Sequence, residues 1–73
     1  MTTTHEFDTG LPSVRQIQQF IRDGQEVELK LMTGDILAGT IRWQDVNCVC
    51  LIDAYDQPTL IRHQAIAFVK PRI

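Results

Sequence analysis

The sequence has few of the residues that reinforce a small domain. Its 73 residues include only two cysteines, Cys48 and Cys50, which lie two positions apart in one apolar run. Such close neighbours cannot join distant parts of a fold, and two thiols without further ligands do not complete a zinc site. We therefore expect no disulfide, no metal and no other cofactor, and interpret both thiols as small core residues. Because a domain this short buries only about 60% of its surface, reinforcement by oligomerisation is expected.

An excess of positive charge is also absent, since the net charge is −2 and the pI is about 5.5. Any binding of nucleic acid must therefore depend on local patches of the surface. No apolar run approaches the ~20 residues of a membrane span. The first ten residues lack the basic and then apolar pattern of a secretion signal. These absences predict a cytoplasmic protein without membrane insertion.

The usual signatures of an enzyme are missing as well. The sequence shows no nucleophile beside a base, no glycine-rich phosphate loop and no carboxylate pair that spacing alone brings together. A chain of this length also has little room for a deep pocket within one subunit. We therefore predict that the protein is not an enzyme.

A polar, aperiodic stretch over residues 1–10 predicts a flexible N-terminal arm, and residues 11–73 predict one domain. Ser13 and Gln16 have the spacing of a capping box, which predicts the start of a helix. Apolar residues then recur at helical spacing, and Gly24 is well placed to end the helix in a left-handed conformation. The apolar stripe consists of Val14, Ile17, Phe20 and Ile21.

Alternating apolar and polar residues over 27–42 predict two strands joined by a tight turn at Thr33-Gly34-Asp35. Gly39, inside the second strand, permits a bend or bulge. Three more strands are predicted at residues 46–52, 59–63 and 67–70. The fold class is therefore mainly β, with an N-terminal α-helix before a small, strongly bent, five-stranded antiparallel barrel. Five short strands leave edges exposed, so edge-to-edge pairing of identical subunits into a ring is our hypothesis.

Several segments carry a family resemblance. The sequence LMTGDILAG at residues 31–39, together with QAIA at 64–67 and VKP at 69–71, resembles the Hfq family of bacterial Sm-like proteins. The resemblance extends over about residues 12–72, and the segments LPSVRQIQ and IRWQD look like its divergent cyanobacterial branch. It implies an Sm-like, SH3-like barrel in a homohexameric ring, where the fourth strand of one subunit pairs with the fifth of the next. It also implies post-transcriptional regulation through binding of small regulatory RNA and mRNA.

The resemblance places RNA contacts around a central pore and on the opposite, distal face of the ring. The positions that match the pore contacts of the family hold Gln44, Asn47, Arg62, His63 and Gln64. On the distal face, the position of a family tyrosine holds Lys30. The family has aromatic residues that stack on bases at positions where this chain has none. Since stacking supplies ~1–3 kcal/mol per base, the resemblance implies weak or altered RNA affinity.

Two questions stay open at the level of sequence. The alternative function is a protein-docking ring, because the cyanobacterial branch is linked to type IV pilus function and motility through a pilus-assembly ATPase. Trp43 is either an aromatic of the core or subunit interface, or an exposed platform that stacks a base. Asp45 is interpreted as a structural residue that forms either a turn or a hydrogen bond at the subunit interface.

Overall fold

The computed structural model describes residues 10–72, in which one helix precedes five strands. The elements are α1 (Pro12–Asp23), β1 (Glu26–Leu31), β2 (Ile36–Gln44), β3 (Cys48–Ile52), β4 (Pro58–Arg62), a 3-10 turn (His63–Ala65) and β5 (Ile66–Pro71). The strands form one antiparallel sheet in the order β4-β3-β2-β1-β5. The predicted fold class is thereby confirmed. Apart from Gly10, the predicted N-terminal arm lies outside the described residues, and the division at residue 11 stays a prediction.

The start of α1 differs from the predicted capping box. The helix begins at Pro12, preceded by Leu11 in an extended conformation (φ −70°, ψ 140°), and no side chain caps it. Proline suits the first helical position because its φ is already helical and its missing N–H has no partner to lose there. Ser13 therefore lies inside the first turn, where it cannot act as the N-cap. The predicted end is confirmed, because Gly24 caps the helix with φ 62°.

The core lies between α1 and one face of the sheet. Val27 and Leu29 are fully buried on β1, and Phe20 covers them from the helix. The alternate residues of β1, Glu26 and Glu28, point to the opposite face, as the alternating pattern predicts. The buried apolar cluster consists of Phe20, Val27, Leu29, Ile41, Val49, Leu51 and Ile61.

Gly39 is required for a close approach between strands, while the bulge in β2 lies elsewhere. A Cβ atom at Gly39 would overlap the backbone carbonyl oxygen of Ile52 and lie 2.9 Å from its carbon. The register between β2 and β3 shifts between Ile41 and Trp43, so Arg42 is the extra residue. The sequence pattern identified the glycine correctly but not the reason for it, because contacts between strands are invisible to a local pattern.

Several strand boundaries differ from the prediction by one or two residues, and two of these differences have a clear cause. The third strand begins at Cys48 rather than at residue 46, because the preceding residues form a turn closed by Asp45. The fourth strand ends at Arg62, since His63 starts the 3-10 turn that leads into β5. This turn lets the chain pass from one edge of the sheet to the other within three residues.

The two outermost strands of the sheet, β4 and β5, each have one edge that pairs with no other strand among the described residues. Each carries an exposed apolar side chain, namely Leu60 on β4 (61% exposed) and Phe68 on β5 (41% exposed). Each precedes an inward-facing apolar neighbour, Ile61 after Leu60 and Val69 after Phe68. Apolar residues at consecutive positions of an edge strand indicate that both faces of the strand are meant to be covered.

Candidate functional site

The connection between β2 and β3 is a tight turn built on the Asp45 carboxylate. Its Oδ1 atom accepts hydrogen bonds from the backbone N–H of Asn47 (2.9 Å) and of Cys48 (2.8 Å). The backbone N–H of Asp45 donates to the carbonyl of Cys48 at 2.9 Å, which closes the turn. The predicted structural role of Asp45 agrees with these contacts.

These hydrogen bonds have an electrostatic consequence. The amides of Cys48 and Asn47 hold the pKa of the Asp45 carboxyl below its ordinary value, and the nearby His63 adds to the shift. Each amide hydrogen bond favours the charged form of the carboxyl, because only the carboxylate is a full acceptor for both donors. Asp45 is therefore an anion throughout the neutral range, beside the pore residues that the sequence predicts.

His63 connects the end of β4 to this turn through two contacts. Its backbone N–H donates to the carbonyl of Asn47 at 3.0 Å. Its ring nitrogen Nε2 lies 2.6 Å from the backbone carbonyl oxygen of Asp45. A carbonyl oxygen only accepts hydrogen bonds, so Nε2 carries a proton in this arrangement. The imidazole is thus fixed against the turn and is only half-buried.

The other pore residues predicted from the sequence lie at the same end of the sheet. Arg62 is paired in register with Cys48 and is exposed, and Gln64 is exposed in the 3-10 turn. Asn47 is exposed at the turn itself. The structure thus brings together Asn47, Arg62, His63 and Gln64, which we call the turn cluster.

Gln44 lies next to the turn cluster, but its amide group is occupied by the helix. Its Nε2 donates to the side-chain oxygen of Gln18 at 2.9 Å and to the carbonyl of Val14 at 3.3 Å. Both hydrogens of the amide are used, so a contact from Gln44 to a ligand must use its Oε1 atom. Sequence alone does not show this, because Gln18 and Gln44 are 26 positions apart.

Lys30 lies away from the turn cluster, on the outer face of β1. It sits in register between Ile36 on β2 and Phe68 on β5. The neighbouring cations of this face are paired, Lys70 with Glu28 at 3.8 Å and Arg72 with Glu26 at 3.6 Å. Within residues 10–72, Lys30 makes no such ion pair, so it is the cation of this face whose charge is least compensated.

Trp43 and the two edge residues, Leu60 and Phe68, are among the exposed apolar residues of the surface. Trp43 is 39% exposed at the end of β2 and lies in register beside Cys50, whose other neighbour is Leu60. Cys50 is only 3% exposed, so Trp43 and Leu60 shield it on the outer face. The sequence reasoning missed Leu60 and Phe68 as interface candidates, although consecutive apolar residues in the predicted edge strands were the available signal.

Neither a metal centre nor a membrane-spanning helix is visible in the part of the chain that the structure describes. In residues 10–72 no three His, Cys, Asp or Glu side chains come together in a way that could hold a metal ion. In the same residues, no helix is long and apolar enough to cross a membrane.

The Asp45 turn yields a prediction about pH. Because its pKa is lowered in the folded protein, ionised Asp45 stabilises the fold fully above its unfolded pKa of about 3.9. This contribution is lost as the pH falls through the lower, folded value. We expect Asp45→Asn to be less stable than the native protein at pH 7, with the difference shrinking below about pH 4. Urea unfolding at fixed protein concentration, followed by Trp43 fluorescence between pH 3 and 7, measures this.

The matched control for this prediction is Asp56→Asn. Asp56 is exposed in the β3–β4 loop with φ 63°, a conformation that asparagine also tolerates. Its carboxylate accepts no hydrogen bond from any of residues 10–72, so its replacement should change stability little across this pH range. An equal, pH-independent loss in both variants would show that the charge on Asp45 does not stabilise the turn.

Comparisons with known proteins point to one family. A family model described as Hfq related matches residues 11–71. A crystal structure of an Hfq protein from Anabaena sp. is 46% identical, with a TM-score of 0.78, and the match covers 86% of this chain and 100% of that one. A 1.55 Å crystal structure of Hfq, described as a pleiotropic translational regulator, is 23% identical with a TM-score of 0.74, covering 78% and 93%, and supports the fold alone. Comparison with curated protein sequences gives no significant match.

Proposed function

The chain belongs to the Hfq-related family, and from this membership we propose that it is an RNA-binding protein that assembles as a homohexameric ring. The similarity to the Anabaena protein agrees with the predicted resemblance to the cyanobacterial branch. The proposed role is cytoplasmic, post-transcriptional regulation through small regulatory RNA and mRNA, with weak or altered RNA affinity.

The free edges of the sheet support the proposed ring. The strands β4 and β5 form the two opposite edges of the sheet, so the β4 edge of one subunit can pair with the β5 edge of the next. Such pairing satisfies both edges of every subunit and removes the hazard of open strands. It also covers Leu60 and Phe68, which are exposed in the single chain.

The turn cluster is the observation that carries the RNA proposal. It places a permanent cation, Arg62, beside the hydrogen-bonding groups of Asn47, His63 and Gln64 at one end of the sheet. Phosphate contacts supply affinity, and side chains that reach base edges supply discrimination. In a ring, the cluster repeats in every subunit, so a modest site gains avidity through effective concentration.

The contacts also support weak affinity. Each subunit adds only one permanent cation to the turn cluster, and electrostatic affinity rises with the number of neutralised phosphates. No aromatic residue belongs to the cluster, so the stacking energy of ~1–3 kcal/mol per base is absent there. On the outer face of β1, Glu28 and Glu26 compensate Lys70 and Arg72.

Titration with uridine-rich and adenine-rich oligonucleotides at moderate salt tests the proposal. We expect micromolar binding of at least one oligonucleotide, weakened about tenfold or more by Arg62→Ala or His63→Ala, since each change recurs around the ring. Arg42→Ala is the matched control for the loss of one charge, because Arg42 is exposed at the β2 bulge, outside the turn cluster. Fluorescence anisotropy measures the affinity of all four proteins for each oligonucleotide.

The opposite result has a clear meaning. Binding no tighter than about 100 μM for every oligonucleotide is the range of non-specific contacts, and would exclude RNA as the main ligand. The predicted alternative, a protein-docking ring that acts on a type IV pilus-assembly ATPase, would then be tested directly with the purified ATPase.

A further inference from the structure

The hydrogen bond between His63 and Asp45 selects one tautomer of the imidazole. Nε2 is 2.6 Å from a backbone carbonyl oxygen, which has no proton to donate. Nε2 must therefore carry the proton in the neutral ring, and the other nitrogen, Nδ1, is then an acceptor with a free lone pair. Within residues 10–72, no donor is hydrogen bonded to Nδ1.

Hydrogen bonds fix both partners of this contact, the backbone of His63 and the carbonyl of Asp45. The backbone of His63 is fixed by its hydrogen bond to the carbonyl of Asn47 (3.0 Å). The carbonyl of Asp45 is fixed in turn, because the side chain of the same residue binds two backbone amides of the turn. A preorganised acceptor loses little conformational entropy when a ligand binds. The half-buried ring therefore offers one defined acceptor atom in the turn cluster.

We infer that His63 Nδ1 accepts a hydrogen bond from the imino N–H of uracil or guanine, which makes His63 a specificity-determining residue for RNA. This inference rests on the proposed function. Uracil N3 and guanine N1 carry a hydrogen on the Watson–Crick edge, whereas cytosine N3 and adenine N1 present a lone pair. Opposite Nδ1, the latter two bases would place one acceptor against another and leave both unsatisfied.

The other residues of the turn cluster contribute to RNA binding in different ways from His63. Arg62 attracts phosphates whatever base is attached, so it contributes affinity without discrimination. Asn47 and Gln64 have amide groups that donate and accept, and these can adapt to either kind of base edge. Only His63 has its hydrogen-bonding polarity fixed by the fold. A site with fixed polarity rejects a ligand that lacks the matching group, because a buried polar atom is then left unpaired.

The test compares oligouridine with the same oligonucleotide built from N3-methyluridine, at pH 8. The methyl group removes the imino hydrogen and leaves the phosphate charge unchanged. We expect native protein to bind the methylated RNA about tenfold more weakly, as loss of one hydrogen bond in a specific site implies. The same comparison with His63→Ala should show a difference of less than twofold. The affinity for a hexamer of alternating uridine and guanosine, compared with that for oligouridine, distinguishes recognition of uracil alone from recognition of both bases.

A second measurement does not depend on any variant. The ¹⁵N spectrum of the free protein at pH 8 should show the His63 proton on Nε2 and none on Nδ1, with the signal assigned by its absence in His63→Ala. A proton on Nδ1 would overturn the inference. Equal binding of methylated and unmethylated RNA by native protein would also overturn it, while leaving RNA binding itself established. If neither RNA binds below about 100 μM, the proposed function fails together with the inference.

Discussion

Replacing Gly39 with alanine is expected to destabilise the fold more than any other single change to a glycine. The new Cβ would overlap the backbone carbonyl of Ile52, and backbone atoms of β3 cannot rotate away as the end of a side chain can. Either β2 and β3 separate or their register changes, so the core residues Ile41 and Leu51 lose their packing. We expect a loss of about 3 kcal/mol or more, at the upper end of what overpacking costs. For a domain of this size, the melting temperature would fall by roughly 15 °C.

Gly24→Ala provides the matched control for this change. Gly24 also carries a constraint, with φ 62°, but a Cβ there would meet nothing within 4 Å. Its replacement should cost only about 1 kcal/mol, the penalty of a left-handed conformation for an L-residue. Thermal unfolding of both variants at one protein concentration compares two losses of stability. One comes from the close contact between strands at Gly39, and the other from the left-handed backbone conformation at Gly24. Equal losses would show that the sheet yields at Gly39 and that the close approach is not essential.

The glycines show which parts of the fold the sequence could predict. The roles of Gly24 and Gly34 follow from local rules, since one ends a helix and the other occupies a tight turn with φ 99°. The role of Gly39 depends on Ile52, which lies 13 positions later and reaches it only when β2 and β3 pair. A pattern within one strand can mark such a glycine as unusual, but it cannot say what approaches it.

The start of the third strand and the end of the fourth were predicted wrongly, because polar groups compete there for backbone donors. Residues 46 and 47 continue an apolar-rich stretch, yet they belong to a turn, because the Asp45 carboxylate offers the backbone amides of Asn47 and Cys48 a competing partner. His63 extends the fourth strand in the pattern, but its backbone N–H is taken by Asn47. The first capture is local and typical of aspartate in turns. The second joins residues 16 positions apart, so local propensity contains no information about it.

The sequence predicted which residues lie together in the candidate site, but it did not predict the hydrogen bonds that these residues make. The family resemblance selected residues that the fold does gather in the turn cluster, although their role in binding RNA stays a prediction. The resemblance could not show that Gln44 uses its amide to hold α1, or that the His63 ring is fixed by the carbonyl of Asp45. These contacts join residues that lie 18 to 30 positions apart in the sequence, so a resemblance between sequences does not reveal them. Their consequences therefore come from the structure of this chain.

Replacing Leu60 with aspartate is expected to abolish the proposed ring while leaving each subunit folded. Leu60 is 61% exposed on the free edge of β4, so the charged side chain stays in water in a single subunit. In the ring, the same carboxylate would be buried beside a neighbouring β5 strand, and an unpaired buried charge costs several kcal/mol. We expect the mass in solution to fall from six times the 8.4 kDa subunit to that of a single subunit. Sedimentation equilibrium measures the mass, and circular dichroism checks that the sheet is retained.

Two further variants make this result specific to the edges. Tyr55→Asp also places a charge on an exposed apolar residue (83% exposed), but in the β3–β4 loop away from both edges, so the ring should survive. Phe68→Asp, on the β5 edge, should dissociate the ring as Leu60→Asp does. Since the interface joins unlike edges, a mixture of these two variants retains one intact pair of edges, β4 from one subunit and β5 from the other. That mixture should form two-subunit species and no rings, whereas restored rings or a full ring mass for Leu60→Asp alone would contradict assembly through β4 and β5.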